Sequence, residues 1–361
     1  MPERSAWQAA VKDITDGRIV IDLYPGQSLI KREAADDAVT RGVCDIANIS
    51  RVFGQIPLFD VMVLPAVHPE SGIANNMVYW FKMHQHLDKY FAEVNQIMLS
   101  TFSYGSAGTT IWTARKPVRT FDDLKGLTLA STSRSVINMF EECGVIVIPI
   151  TSTQAYDAFA KGIADGGAWN WEGPWLFGWI ETGKPGYYID VGGVVAACVT
   201  EGAMNRQKYE SLPQDLRETF DQLTWFWTGV QRSAHIDAVD PLFQKRSEER
   251  GLEYIVWSDE DKAKFRQIKE DAVAIWIEDM EKMHKLGAEA TELVKIYHEA
   301  LDEYVPPAPV PVEPEIDGDP AVWNAIYGTG STWGMDYKAY PNQVSKVGLH
   351  QLEGDVFKPW K

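Results

Sequence analysis

The chain has 361 residues, 45% hydrophobic and 24% charged, the balance of a globular protein with enough length for two domains and a core in each. A formal net charge of −17 argues against nucleic acid as a partner, since a phosphate backbone needs clustered Lys and Arg. The longest apolar runs, such as Val145–Ile150, are strand-length and far short of a membrane span.

Ser5–Asp16 spaces Trp7, Ala10, Val11 and Ile14 as the apolar stripe of a helix that Gly17 ends. Arg18–Tyr24 alternates, with Ile19, Ile21 and Leu23 on one face, and predicts a strand closed by the Pro25-Gly26 turn. Asp36–Arg41 reads as helix and Asp45–Ile49 as strand. The pattern resumes after Phe121-Asp122-Asp123-Leu124: Leu127–Ala130 strand, Val136–Cys143 helix, Val145–Ile150 strand. Thr151-Ser152-Thr153 then offers N-cap hydroxyls to a helix carrying Tyr156, Phe159 and Ile163, which Asp165-Gly166-Gly167 ends. This αβ alternation predicts a mostly parallel sheet with helices on both faces.

From Ser211 the character changes. Ser211 and Gln214 form a capping box for a long amphipathic helix through Leu216, Phe220 and Leu223 toward Glu249. Gly251 breaks it, Glu253–Trp257 reads as strand, and Ser258 with Asp261 opens a helical stretch ending near Tyr304. Pro306, Pro307, Pro309, Pro311 and Pro314 form a stiff linker, and the tail to Lys361 is aromatic and Gly-rich without periodicity. The expected fold is an α/β clamshell of two lobes with a long helix spanning both. Lobe I takes residues 1–120 and 205–250, lobe II takes 121–204 and 251–305, and 306–361 forms the linker and C-terminal extension. Ligands in such folds sit where strand ends face the interlobe cleft.

Cys44, Cys143 and Cys198 lie far apart, without CxxC or His-rich spacing. One disulfide fits the count, while apolar flanks favour buried free thiols, and no zinc site is legible. The seven histidines are scattered, and HExxH, GxSxG, P-loop and GxGxxG patterns are all missing. A binder rather than an enzyme is therefore expected, with no cofactor. A metal-dependent lyase or hydrolase, or a ligand-sensing module signalling through the tail, are the alternatives.

Four stretches, in order, resemble the DctP-type solute-binding proteins of TRAP transporters. They are Gly17-Arg18-Ile19 through Tyr24-Pro25-Gly26, Cys44-Asp45-Ile46-Ala47 through Pro57-Leu58-Phe59-Asp60, Lys116-Pro117-Val118 through Asp123-Leu124-Lys125-Gly126-Leu127, and Tyr156 through Gly166. Weaker echoes are Tyr209-Glu210-Ser211-Leu212-Pro213 and Trp257-Ser258-Asp259-Glu260. The resemblance implies a periplasmic binding-protein fold, capture of a small organic acid, and delivery to the TRAP permease membrane subunits. It also implies an extracytoplasmic address. Met1-Pro2-Glu3-Arg4 shows no apolar signal segment, which alone points to the cytoplasm. A start lacking both the leader and the family's first strand reconciles the two.

The resemblance places the family's carboxylate-gripping arginines at positions that here hold Ala130 and Thr110. Arg51, after the Asp45–Ile49 strand, and Arg134, in the loop beginning at Ser131, could supply an anion contact from another direction. A solvated surface arginine is the plainer reading for each. Asn170-Trp171-Glu172-Gly173-Pro174 resembles the 2-oxo-acid branch's "EW-x-GP", with Asn170 where that branch uses Glu to hold a metal. Asn170 and Glu172 are thus weak metal candidates. Trp169 and Trp171 beside Gly166-Gly167, with Tyr104 and Trp112 opposite, offer aromatic area for a ring or bulky apolar body. Trp175 and Trp179, four apart, read instead as the core face of a helix. The candidate ligand-binding set is Ser50, Arg51, Tyr104, Thr110, Trp112, Ser131, Arg134, Trp169, Asn170 and Trp171.

Overall fold

A computed structural model describes residues 2–49, 55–64, 78–103, 110–131, 134–150, 152–169, 171–183, 186–193, 195, 199–224 and 243–303. The first helix, α1 (Pro2–Ile14), buries Trp7, Ala10 and Val11. Trp7 packs on Phe220 with ring centroids 6.0 Å apart and donates Nε1–H to Thr224 Oγ1 at 3.1 Å. Gly17 adopts φ 72° and donates its N–H to Lys12 O at 2.7 Å, closing the helix with a left-handed cap.

The expected strand at 18–24 does not form a ladder. Its segment pairs with no strand among the described residues, and Val20 and Tyr24 stand 61% and 57% exposed. Alternation chooses which face a strand would bury; only a neighbouring strand makes it one.

The later helices are α2 (Ala35–Thr40), α3 (His84–Glu93), α4 (Arg134–Glu142), α5 (Ser152–Ala160), α6 (Glu172–Leu176), α7 (Arg206–Glu210), α8 (Gln214–Thr224), α9 (243–249), α10 (Asp259–Asp279) and α11 (Gly287–Glu303). Strands β1 (Ile46–Ile49), β2 (Gln96–Ser103), β3 (Thr110–Thr113), β4 (Thr128–Ala130), β5 (Ile146–Ile148), β6 (Gly166–Trp169), β7 (Tyr187–Asp190), β8 (Val199–Asn205) and β9 (Glu253–Val256) build two sheets.

A three-stranded sheet, β1-β8-β2, is antiparallel throughout, and a six-stranded sheet runs β5-β4-β6-β3-β7-β9. In the larger sheet β4 is parallel to β5 and β6, and β7 to β9, while β3 runs against both β6 and β7. The prediction of a mostly parallel sheet therefore holds only on the two flanks of β3. The ladders put β3 in the larger sheet and β8 in the smaller one.

Each face of the larger sheet has its own core. Ile111, Leu129, Ile189 and Ile255 point to one face, beneath Met139 and Phe140 of α4 and Phe265 of α10. Trp112, Ala130 and Tyr188, one residue out of phase, point to the other, beneath Phe159 of α5 and Trp171 and Trp179. A third core gathers Phe59, Tyr79, Phe91, Trp276 and Tyr297. Helix α10 joins two of these, with Phe265 and Ala272 in one and Trp276 in the other. The long spanning helix was expected at 211–249; its middle, 225–242, lies outside the described residues.

The family-like motifs turn out to be structural fasteners. Thr120 and Asp123 make a reciprocal capping box, Leu124 is fully buried, and Gly126 takes φ 80° as its N–H bonds Gly144 O at 2.8 Å. Asp165 accepts from Thr128 N–H at 2.9 Å and from Lys116 Nζ at 3.0 Å, locking the start of β4 to the segment entering it. Phe59 of Pro57-Leu58-Phe59-Asp60 meets Tyr79 and Phe91 edge-on at 5.9 and 6.0 Å.

Tyr209, in the echo preceding α8, donates to Asp221 Oδ2 at 2.5 Å. Burial pushes the Asp221 carboxyl up to about 6, with Glu218 adding to the rise and the Tyr209 hydrogen bond and Arg217 opposing it. A folded value above the unfolded one favours the protonated form. The associated stability is thus full below the unfolded value near 4 and is lost as pH rises through about 6. At pH 7.5 Asp221→Asn, which keeps an acceptor for Tyr209, should be about 3 kcal/mol more stable than wild type, and near parity at pH 4. Urea unfolding at the two pH values checks this; equal differences at both would reject it.

Cys44 and Cys143 are free thiols, and burial pushes Cys143 up to about 12, so it packs as a small apolar side chain. Cys198 lies outside the described residues.

Candidate functional site

One end of the six-stranded sheet brings several candidates together. Parallel β4 and β6 finish there and antiparallel β3 begins there, so Thr110 pairs with Trp169, and Ala130 with Gly167 and Ile148. Ser131 follows Ala130 and donates its N–H to Ile148 O at 3.2 Å. Arg134 opens α4 close by in sequence. Thr110, Ser131 and Trp169 therefore share the C-terminal edge of parallel strands, where α/β folds place ligands. Ser50, Arg51, Tyr104 and Asn170 lie outside the described residues, as do the side chains of Thr110, Arg134 and Glu172.

The tryptophans sort by depth. Trp112 and Trp171 are interior, 1% and 2% exposed. Trp171 stacks on Tyr188 at 3.6 Å and an interplanar angle of 23°, which occupies one ring face. Trp112 meets Phe159 edge-on at 5.2 Å and Trp179 at 6.1 Å. Trp169 is only partly buried, with its ring against Phe177 at 5.6 Å and Trp179 at 5.4 Å. Gly173 makes this possible: a Cβ there would sit 1.6 Å from Trp169 Cδ1. The glycine of Asn170-Trp171-Glu172-Gly173-Pro174 thus gives the Trp169 ring its seat on α6.

Trp175 and Trp179 do not share one helix. Gly178, at φ 71°, separates α6 from the 3-10 turn Trp179–Glu181. Trp179 is buried, whereas Trp175 donates Nε1–H to Ser247 Oγ at 2.7 Å and lies under the Arg250 guanidinium at 5.2 Å.

Two contributions escape sequence reading. Arg115 donates to Phe159 O at 2.8 Å, Ala160 O at 3.3 Å and Thr182 O at 2.7 Å, fastening the ends of α5 and the 3-10 turn and so fixing Phe159 and Trp179 against Trp112. Tyr188 supplies the stacking surface for Trp171. An arginine beside Lys116 and a tyrosine on a strand carry no sequence signal for either role.

Among the described residues, no group of three or more His, Cys, Asp or Glu could hold a metal ion, and no helix is long and apolar enough to cross a membrane.

The family model DctP, described as bacterial extracellular solute-binding protein, family 7, matches residues 3–279. A solute-binding protein of Albidiferax ferrireducens is 24% identical over 162 residues, covering 44% of this chain and 46% of the relative. The chain thus spans about half the length of that curated relative. A marine metagenome TRAP solute-binding protein specific for aromatic acids, solved with metahydroxyphenylacetate, superposes with TM-score 0.72 at 20% identity, over 84% of this chain and 94% of that one. A TRAP periplasmic protein from Rhodoferax ferrireducens with bound malonate superposes with TM-score 0.70 at 19% identity, over 83% and 92%. Both likenesses establish a shared two-lobed fold.

Proposed function

The chain belongs to the DctP family of bacterial extracellular solute-binding proteins, and from that membership we propose that it is the periplasmic binding subunit of a TRAP-type transporter. It captures a small organic acid between its lobes and delivers it, unchanged, to the membrane permease. The family match over residues 3–279 carries this reading. Family and fold alike are those of solute-binding proteins rather than enzymes.

The acid meets the sheet end where Thr110, Ser131 and Trp169 converge, and Ser50, Arg51, Tyr104, Arg134 and Asn170 are the further residues assigned to its binding from sequence. Ala130 leaves the usual arginine fork vacant, so the anion is held from another side. A compact dicarboxylate forfeits two charge-assisted hydrogen bonds there, worth about 3 kcal/mol or more. A ligand with a ring regains part of that through contact with Trp169 and its neighbours, about 0.5–1.5 kcal/mol beyond burial. The bound acid is therefore one with an aromatic ring or bulky apolar body. The relative specific for aromatic acids supports this, and the malonate-bound one shows that the fold also takes small diacids.

A thermal-shift screen with benzoate, 3-hydroxybenzoate, malonate, succinate and choline tests the reading. Aromatic acids should stabilise the protein, by about 2.7 kcal/mol at a hundred times Kd, and be recovered intact. Stabilisation by the diacids alone would overturn the ligand class, and conversion of a bound acid would overturn the binder.

A further inference from the structure

Several indoles in this protein find an acceptor. Trp7 donates to Thr224 Oγ1 at 3.1 Å, Trp175 to Ser247 Oγ at 2.7 Å, and Trp257 to Val118 O at 3.0 Å. By contrast, the Nε1–H groups of Trp112 and Trp276 are fully buried with no partner. A buried donor left without an acceptor has lost water's hydrogen bond and gained nothing, which makes each such group anomalous.

The two differ in where they lie. Trp276 sits on α10 in the core around Phe59, Phe91 and Tyr297. Trp112 sits on β3, two residues from Thr110, at the sheet end already described. Its cross-strand neighbours are Gly167 and Tyr188, and Phe159 and Trp179 pack its ring. Gly167 and nearby Ala130 bring no side-chain acceptor to it. An apolar shell of this kind would be as well filled by a phenyl ring, so the indole N–H is the feature that packing does not explain.

We infer that the Trp112 Nε1–H donates to a carboxylate oxygen of the bound solute, a contact that completes the buried donor only when the acid is present. This rests on the proposed function and adds to it the neutral donor that Ala130 cannot provide. In a low-dielectric aromatic shell a neutral N–H bonded to a carboxylate is strengthened, and it charges no further desolvation of a cation.

The test uses full-length protein and a carboxylate panel of benzoate, 3-hydroxybenzoate, mandelate, malonate and orotate. The acid that stabilises wild type most becomes the probe. Trp112→Phe should weaken its binding about ten- to a hundredfold, the loss of one hydrogen bond to a charged group, while Trp276→Phe should leave affinity unchanged. In the wild-type 1H–15N spectrum, the indole peak missing from Trp112→Phe should move downfield as the probe is added. That second readout stands even if the variant folds poorly, in which case the peak is assigned by selective labelling, and it separates hydrogen bonding from a change in cavity shape. A probe that binds wild type with the Trp112 indole peak unmoved, or that binds Trp112→Phe equally well, overturns this inference and leaves the transport reading intact. A panel in which no acid binds overturns both.

Discussion

Trp171→Ala is expected to lower the unfolding free energy by about 3–5 kcal/mol, the range for deleting a large buried aromatic. The ring is 2% exposed, stacked on Tyr188 at 3.6 Å and tilted against Tyr254 at 5.6 Å. Truncation removes these ring contacts and leaves a void between α6 and the sheet. The surroundings cannot close it easily, because Tyr188 is fixed by pairing with Trp112 on one side and Tyr254 on the other. Trp171→Phe keeps most of the stack and should cost less than half as much. The comparison also decides what Trp171 is for. A residue that only walls the ligand site would lose affinity with stability nearly intact, so a drop below about 1 kcal/mol in guanidinium unfolding, accompanied by lost binding, would return it to the ligand. A large drop marks it as the floor on which Trp169 and its neighbours rest.

That question arises because sequence shows aromatic residues without showing depth. Trp169 and Trp171 are two apart, both beside Gly166-Gly167, and look equivalent. In the structure one ends β6 partly buried and the other begins the turn into α6 with its ring folded inward. Spacing misled in a similar way at Trp175 and Trp179, where Gly178 in the left-handed region interrupts the helix that an i, i+4 interval suggests. What could be read was whatever repeats locally. The strand runs expected at Leu127–Ala130 and Val145–Ile150, found as Thr128–Ala130 and Ile146–Ile148, depend on neighbours within a few residues.

Pairing direction is not local. The reversal of β3 follows from how the chain crosses between two sheets, and its sequence Thr110-Ile111-Trp112-Thr113 alternates identically whichever way it runs. The same limit affected 18–24, whose alternation is sound while no described strand lies beside it. Arg115 is a further case. Its value lies in three carbonyl acceptors at positions 159, 160 and 182, which become neighbours only after α5 and the 3-10 turn are in place.

Gly166→Ala should be the more damaging change, costing more than about 4 kcal/mol or preventing folding of the larger sheet altogether. The reason is steric and backbone-based. Gly166 pairs with Thr113 across the antiparallel β3–β6 ladder and with Leu129 across the parallel β4–β6 ladder. A Cβ there would lie 1.9 Å from Trp112 O, 2.7 Å from Thr113 Cα and 2.8 Å from Trp112 C. No side-chain rotation relieves contact with main-chain atoms, so β6 must move off β3 and break ladder bonds in the middle of a six-stranded sheet. The displacement would carry the adjoining Asp165 away from Thr128 N–H and Lys116, and would shift Trp169 at the other end of the strand. Binding and stability should therefore be lost together. Gly17→Ala provides the contrast: φ is 72° but nothing lies within 4 Å, so only the left-handed backbone is penalised, by about 1–2 kcal/mol. Soluble yield, far-UV circular dichroism and chemical unfolding of the two variants side by side separate these costs. A Gly166→Ala protein that unfolds within about 1 kcal/mol of wild type and still binds its acid would mean that β3 and β6 are not packed this closely.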